Sequence, residues 1–252
     1  ACSGLRNQEC RLAVAGGVNC ILDPRRLEQL SRLGILSPSG KCRPFGSEAD
    51  GVLLGEGVGT VVLKPLDAAL EDGNRIYGVI KGTALSSGTG SIGFTAPNPQ
   101  AQAVAIGRCL RDAGIDPRSV SYVETHGTGT ALGDPIEMRG LMLAYTDPRH
   151  WSEEVQGEQV CSVGSIKPNI GHLESGAGVL GLIKVLMQFE QQTLLPSISS
   201  ASLNPKIPFA DSPFAVQQTL AAWERPKLVV DGRTRELPRR AGLSSFGVGG
   251  AN

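Results

Sequence analysis

The chain has 252 residues and a mass of 26.4 kDa, and its 24 Lys plus Arg match its 24 Asp plus Glu, a formal charge of zero. That balance gives no electrostatic case for nucleic acid or an anionic membrane as partner, and no run of about eighteen apolar residues exists to span a bilayer. Hydrophobic residues at 40% allow one large domain or two small ones with a sizeable core, while 33 glycines against 4% aromatics describe tight turns and close backbone contacts, not a stacking surface.

In chain order, Arg11 to Val18 (RLAVAGGV) is an apolar run ending near a Gly pair, a predicted strand. Pro24 to Leu33 reads as a helix with Leu27, Leu30 and Leu33 spaced by three. Gly51 to Lys64 is expected to form two strands folded about Gly55-Glu56-Gly57, and Ile76 to Gly82 another strand. Gln100 to Ala113 is a helix closed by Gly114. Tyr122 to Thr125 is a strand, and Asp134-Pro135-Ile136-Glu137 opens a helix with Asp134 as expected cap and Glu137 three residues on. Gln159 to Val163 is a strand. Leu173 to Phe189 is a long helix, apolar almost all round and so expected to be buried. Residues 195–240 are Pro-rich, a surface excursion with short strands. The alternation of strands and helices is the α/β signature.

The cysteines (Cys2, Cys10, Cys20, Cys42, Cys109 and Cys161) lack C-x-x-C spacing and read as reduced thiols, mostly small core residues. The N-terminus has no basic stretch followed by an apolar core, which makes the cytoplasm the expected compartment.

Chemistry concentrates around two of the three histidines. His126 follows a strand and opens His-Gly-Thr-Gly-Thr; His172 closes Lys167-Pro-Asn-Ile-Gly-His at the entry to the apolar helix. Strand-to-helix loops are where α/β proteins hold reactive groups, because the sheet fixes the backbone while the side chain faces a crevice. His150, in a polar stretch, is expected to be merely exposed. Neither G-x-x-x-x-G-K-[ST] nor G-x-G-x-x-G occurs after a strand, so nucleotide binding is not expected. Two histidines without a Cys pair or H-E-x-x-H make no metal site.

These residues resemble the β-ketoacyl synthases, and more narrowly the ketosynthase domains of modular polyketide synthases. The resemblance is carried by His126-Gly-Thr-Gly-Thr, Lys167-x-Asn-Ile-Gly-His172-Leu-Glu, Ala15-Gly-Gly-Val-Asn19, Gly55-Glu-Gly-x-Gly59 and Ser245-Phe-Gly-x-Gly-Gly-x-Asn252. Lys41-Cys-Arg-Pro-Phe45, Thr95-Ala-Pro-Asn98, Gly133-Asp-Pro-Ile-Glu137 and Leu203-Asn-Pro205 support it. It implies a thiolase-like layered α/β/α/β/α fold, with residues 1–75 as the end of the first half and 76–252 as the second half, incomplete at its C-terminus. It implies decarboxylative Claisen condensation of a Cys-bound acyl chain with a malonyl-type extender. His126, His172 and Lys167 take the catalytic positions. Thr128, Thr130, Phe246 and Val248 match substrate-binding positions, and Glu137, Asp134 and Asn169 supporting ones, Glu137 as the anionic partner of Lys167.

The implied partners are acyl carrier protein, other polyketide synthase domains and a second copy of the chain, with substrates on phosphopantetheine and no directly bound cofactor. Alternatives are a fatty-acid β-ketoacyl synthase and a silent chain-length-factor-like partner. Val248, where fatty-acid enzymes often carry Phe, favours the polyketide branch, and the intact histidines argue against the silent partner. Ser199 stands where a His is common. Ala1-Cys2-Ser3 mimics the nucleophile motif, but the register of Cys2 to Asn19 fits a later Ala-Cys pair. The nucleophile is therefore expected about three helical turns upstream of Cys2, the chain to be truncated at both ends, and residues 1–252 alone to be inactive and poorly soluble.

Overall fold

A computed structural model describes residues 1–88, 97–151, 155–156, 161–230 and 232–252. The first part of the chain holds helix α1 (Cys2–Arg6), strand β1 (Ala13–Asn19), α2 (Arg25–Arg32), β2 (Gly57–Leu63) and α3 (Leu66–Glu71). Helix α4 (Pro99–Ala113), β3 (Tyr122–Glu124), α5 (Gly133–Tyr145), β4 (Val155–Gln156), β5 (Cys161–Gly164), α6 (Lys167–Ile170) and α7 (Ala177–Gln191) follow. The remaining strands are β6 (Thr193–Leu194), β7 (Phe214–Val216), β8 (Ala221–Ala222), β9 (Lys227–Val230), β10 (Arg233–Glu236) and β11 (Ala241–Leu243).

A four-stranded parallel sheet in the order β11-β3-β5-β7 organises the second part, with Val123 opposite Val163 and Gly242, and Val163 opposite Val216. Period-2 alternation sends successive side chains of β3 to opposite faces. Val123 joins Val163, Leu141, Met138 and Leu110 beneath α4 and α5, while Tyr122 joins Val185 and Trp223 on the α7 side. Phe189 stacks on Trp223 there, ring centroids 4.8 Å apart. A strand covered on both faces belongs inside a parallel sheet.

Beyond α7 lies the antiparallel pair β1–β2. Its inner face carries glycine at the closest approach: a Cβ on Gly59 would meet Leu180, Ile183 and Val179 of α7, and one on Gly17 would meet the Ser175 carbonyl. The layers therefore run helix, sheet, helix, sheet. The outer face of β1–β2 carries Val14, Val18, Val58 and Val62, all more than half exposed. Gly17→Ala should lower stability by about 1–3 kcal/mol through overpacking, read as a fall in Tm of the domain; an unchanged Tm would show the sheet can move off α7.

Several expectations are corrected. Residues 51–64 do not form a folded pair of strands: only Gly57–Leu63 is a strand, and Val52 and Leu54 make single parallel bridges to Leu36 and His172. Residues 76–82 form no strand and have no ladder partner among the described residues. They pack instead, with Gly78 against Leu186 and Phe189, and Gly82 against Cys109 and Ala113. The long helix starts at Ala177, after a 3-10 turn at Glu174–Gly176, and is half-buried, with Lys184 and Gln188 among its most enclosed residues. The Pro-rich region contributes β7 to the central sheet, with Phe214 at its core. Only Cys42 and Cys161 of the six free thiols are buried. Thr95, Ala96 and residues 159–160 of the predicted strand lie outside the described residues. Among those residues no helix is long and apolar enough to cross a membrane.

Candidate active site

The parallel sheet builds the site, because its adjacent strands discharge their loops at one end. Strand β3 runs into Thr125 and His126, β5 into Ser165, Ile166 and Lys167, and β11 into Ser244, Ser245 and Phe246. His172 arrives from α6 and is held by backbone bonds to the first part of the chain: its N–H donates to the Leu53 carbonyl at 2.6 Å and its carbonyl accepts from Gly55 at 3.1 Å. Gly171 permits this crossing. Its φ is +76°, and a Cβ there would collide with the Leu54 carbonyl and Gly55 amide at 2.8 and 2.7 Å.

The two imidazoles meet edge to face, ring centroids 5.2 Å apart. The Nδ1 atom of His126 accepts the Phe246 amide at 3.3 Å, and that of His172 accepts the Glu174 amide at 2.9 Å. A neutral imidazole that accepts at Nδ1 carries its proton on Nε2. Both rings are thus fixed as Nε2–H donors. Burial, then the charges of Lys167 and His172, hold His126 well below the usual histidine pKa, and burial with Lys167 brings His172 down to about 4. The ring signals of both should therefore remain those of the neutral Nε2–H form when pH falls from 8 to 5.5, followed by nitrogen-15 NMR. Titration near the ordinary value of about 6.5 would contradict the geometry.

Below the rings sits a buried charge cluster. Glu137 accepts from the amides of His126 and Gly127, both at 2.7 Å, and Asp134 from those of Phe45 at 2.8 Å and Gly129 at 3.2 Å. Neither carboxylate caps α5, whose N-cap is Leu132 without a side-chain bond. The amides of the half-buried 126–130 loop claim both groups instead of the helix's first turn. Burial raises Glu137 to about 7 and Asp134 to about 6, against these amide bonds. Lys167 is buried, and its Nζ donates to the His126 carbonyl. The expected Lys167–Glu137 contact is not made within ion-pair distance. Burial lowers the Lys167 pKa, and Glu137 is the foremost of the charges opposing that.

The remaining predicted residues divide. Thr128 and Thr130 bring their hydroxyls 3.1 Å apart, and Thr130 Oγ1 also accepts the Gly133 amide. Phe246 lies beside the site, its ring centroid 5.9 Å from His126. Asn169 is exposed on α6, and Val248 is 73% exposed. His150 is not a surface residue: its side chain is 6% exposed, packed against Gly107. Sequence reasoning missed Ser165, whose hydroxyl donates to the Gly127 carbonyl at 2.9 Å and accepts the Lys167 amide. It also missed Phe45, held at φ +60° with its amide on Asp134. Cys42 touches the Thr128 carbonyl through Sγ at 3.4 Å, with its thiol pushed up to about 12 by burial and by Asp134. Among the described residues no cysteine hydrogen-bonds either imidazole.

The profile of the β-ketoacyl synthase N-terminal domain matches residues 1–69 and that of the C-terminal domain residues 77–201. Polyketide synthase PksL of Bacillus subtilis is 50% identical over the whole chain, which spans 5% of its length. Polyketide synthase ThaG of Burkholderia thailandensis is 48% identical, again over the whole chain and 4% of its own. Among solved structures, the oxazolomycin ketosynthase domain of Streptomyces albus superposes with a TM-score of 0.91 at 44% identity, covering all of this chain and 42% of that one. The ketosynthase from module 6 of the Bacillus subtilis bacillaene synthase gives 0.89 at 38%, covering 43% of that chain. The chain thus spans less than half of the ketosynthases it matches, and its fold is thiolase-like.

Proposed function

This chain belongs to the β-ketoacyl synthase family, among the ketosynthases of modular polyketide synthases, and we propose that it carries the decarboxylating half of their condensing site. The observation that bears most weight is the pair of neutral imidazoles, each pinned at Nδ1 by a backbone amide, which leaves two Nε2–H donors side by side.

In the proposed reaction the growing acyl chain sits as a thioester on a cysteine. Among the described residues Cys42 is the one thiol that hydrogen-bonds the 126–130 loop, and a thiol raised to about 12 is a poor source of thiolate. We therefore assign the acyl-carrying cysteine to another part of the synthase. A malonyl-type group enters on phosphopantetheine from acyl carrier protein. Its carbon–carboxylate bond breaks, carbon dioxide leaves, and the released electron pair forms an enolate with its charge on the thioester oxygen. The Nε2–H groups of His126 and His172 donate to that oxygen, stabilising charge only as it develops. The enolate carbon then attacks the acyl-thioester carbonyl, and collapse of the tetrahedral adduct expels the cysteine thiolate.

Lys167, bonded to the His126 carbonyl, and Glu137, bonded to the 126 and 127 amides, hold the loop that presents His126. Thr128 and Thr130 offer paired hydroxyls to the phosphopantetheine arm, and the Val248 amide faces the acyl carbonyl. Asp134 and Asn169 support the loops. Residues 1–75 and 76–252 would be parts of the two halves of a homodimeric, cytoplasmic domain working with the other domains of its synthase. The test is to load the synthase with an acyl-pantetheine thioester, add malonyl carrier protein, and follow carbon dioxide release and product. Condensation in the wild type that disappears without malonyl supports the assignment; acyl loading without decarboxylation or product refutes it.

A further inference from the structure

A second buried charge cluster is built on Glu124, two residues before His126, and has no part in the chemistry above. Glu124, 1% exposed at the end of β3, is bound by three donors: the Ile166 amide at 2.7 Å on Oε1, and the Tyr122 hydroxyl at 2.6 Å and Lys184 Nζ at 2.7 Å on Oε2. Lys184, reaching from α7 with 6% of its side chain exposed, also donates to the Tyr122 oxygen at 2.8 Å, closing a triangle. Two glycines make room for it. A Cβ on Gly181 would press on Glu124 Cγ at 3.2 Å, and one on Gly164 would lie 2.9 Å from the Tyr122 oxygen.

Burying an ion pair is a weak source of stability, since apolar replacements of similar volume often do as well. What distinguishes this pair is its third contact. The amide that Glu124 holds is that of the residue immediately before Lys167, and Lys167 in turn donates to the His126 carbonyl. We propose that Glu124, locked in place by Lys184 and Tyr122, is the positioning residue for Lys167, fixing the peptide that carries it so that Nζ meets the carbonyl of His126. The chain of contacts runs from α7 through β3 to the β5 loop and back to the catalytic loop. This inference rests on the condensing role proposed for His126.

Two double variants of the synthase separate positioning from bulk stability. In E124Q with K184M, the glutamine carbonyl still accepts the Ile166 amide and its NH2 meets the Tyr122 oxygen. In E124M with K184M, the charges are likewise removed as a pair, but the Ile166 amide loses its acceptor. The glutamine variant should keep kcat within threefold of wild type, and the methionine variant should lose at least tenfold in kcat. KM for malonyl carrier protein should be unchanged in both, with Tm values within about 4 °C of each other. Equal kcat in the two would overturn the proposal. E124D covers the case in which the methionine pair fails to fold: one methylene shorter, the carboxylate cannot span Ile166 and Lys184 together, so kcat should fall at least fivefold, and wild-type kcat would overturn the proposal equally. A wild-type synthase that makes no condensation product would instead sink the functional assignment, not this one.

Discussion

Replacing His172 by alanine is expected to cut condensation by about 10²–10³-fold, the usual loss when one donor to a developing oxyanion is removed, while acyl loading onto the cysteine of the synthase stays near wild type. The reasoning starts from protonation. The Glu174 amide occupies Nδ1 at 2.9 Å, so the ring can only donate from Nε2. Burial and the neighbouring Lys167 charge bring its pKa to about 4, so at neutral pH it is a hydrogen-bond donor and not a general acid. Loading needs no donor at the malonyl oxygen; decarboxylation does. Single-turnover assays that monitor the acyl-enzyme by mass and carbon dioxide release separately give the split. His172→Gln, which can place an N–H near the same point, should recover part of the lost rate. Equal losses in loading and condensation, or no loss in either, would remove His172 from the role argued for it.

The sequence carried the site further than it carried the fold. His126 and His172 are 46 positions apart, yet one opens and the other closes a glycine-containing loop beside a strand or helix, and those local signals are enough to nominate them. Helix α4 was legible through its stop signal, Gly114, which ends it at φ +61°; the cap at its start, Asn98 accepting the Gln100 and Ala101 amides, is seen only in the fold. Strand pairing was not. Residues 76–82 have the composition of a strand, but a strand exists only with a partner to bond, and composition does not name one. The helix-cap signal at Asp134 and Glu137 misled because it weighs only local amides. In the folded chain the amides of Phe45, His126, Gly127 and Gly129, brought in from up to 89 residues away, take both carboxylates. The same long-range competition hides Ser165 and Glu124, whose roles depend on which strands lie adjacent.

Glu137→Gln should disarm the site without touching either imidazole. Both carboxylate oxygens of Glu137 accept amides at 2.7 Å, so a glutamine can satisfy one and must turn its NH2 on the other. Leaving a buried amide unpaired costs about 1–3 kcal/mol, and the amides affected are those of His126 and Gly127 themselves. Condensation should fall at least tenfold, since a small displacement of His126 misaims its Nε2–H. The pH dependence identifies the cause. The folded pKa of Glu137, about 7, is raised above the ordinary 4.5 by burial, so between these values the native state keeps a proton that the unfolded chain has lost. The contribution of such a group is greatest below the unfolded value and declines as pH rises through the folded one. Wild type should therefore lead the glutamine variant by more at pH 5.5 than at pH 8 in urea midpoints. The depressed histidines bend stability the opposite way, because stability from a buried neutral imidazole is lost as pH falls; but they are common to both proteins and cancel in the difference. A gap that is the same at both pH values would mean that Glu137 is already ionised throughout this range. Unchanged condensation would mean that the two amides it holds do not set the position of His126.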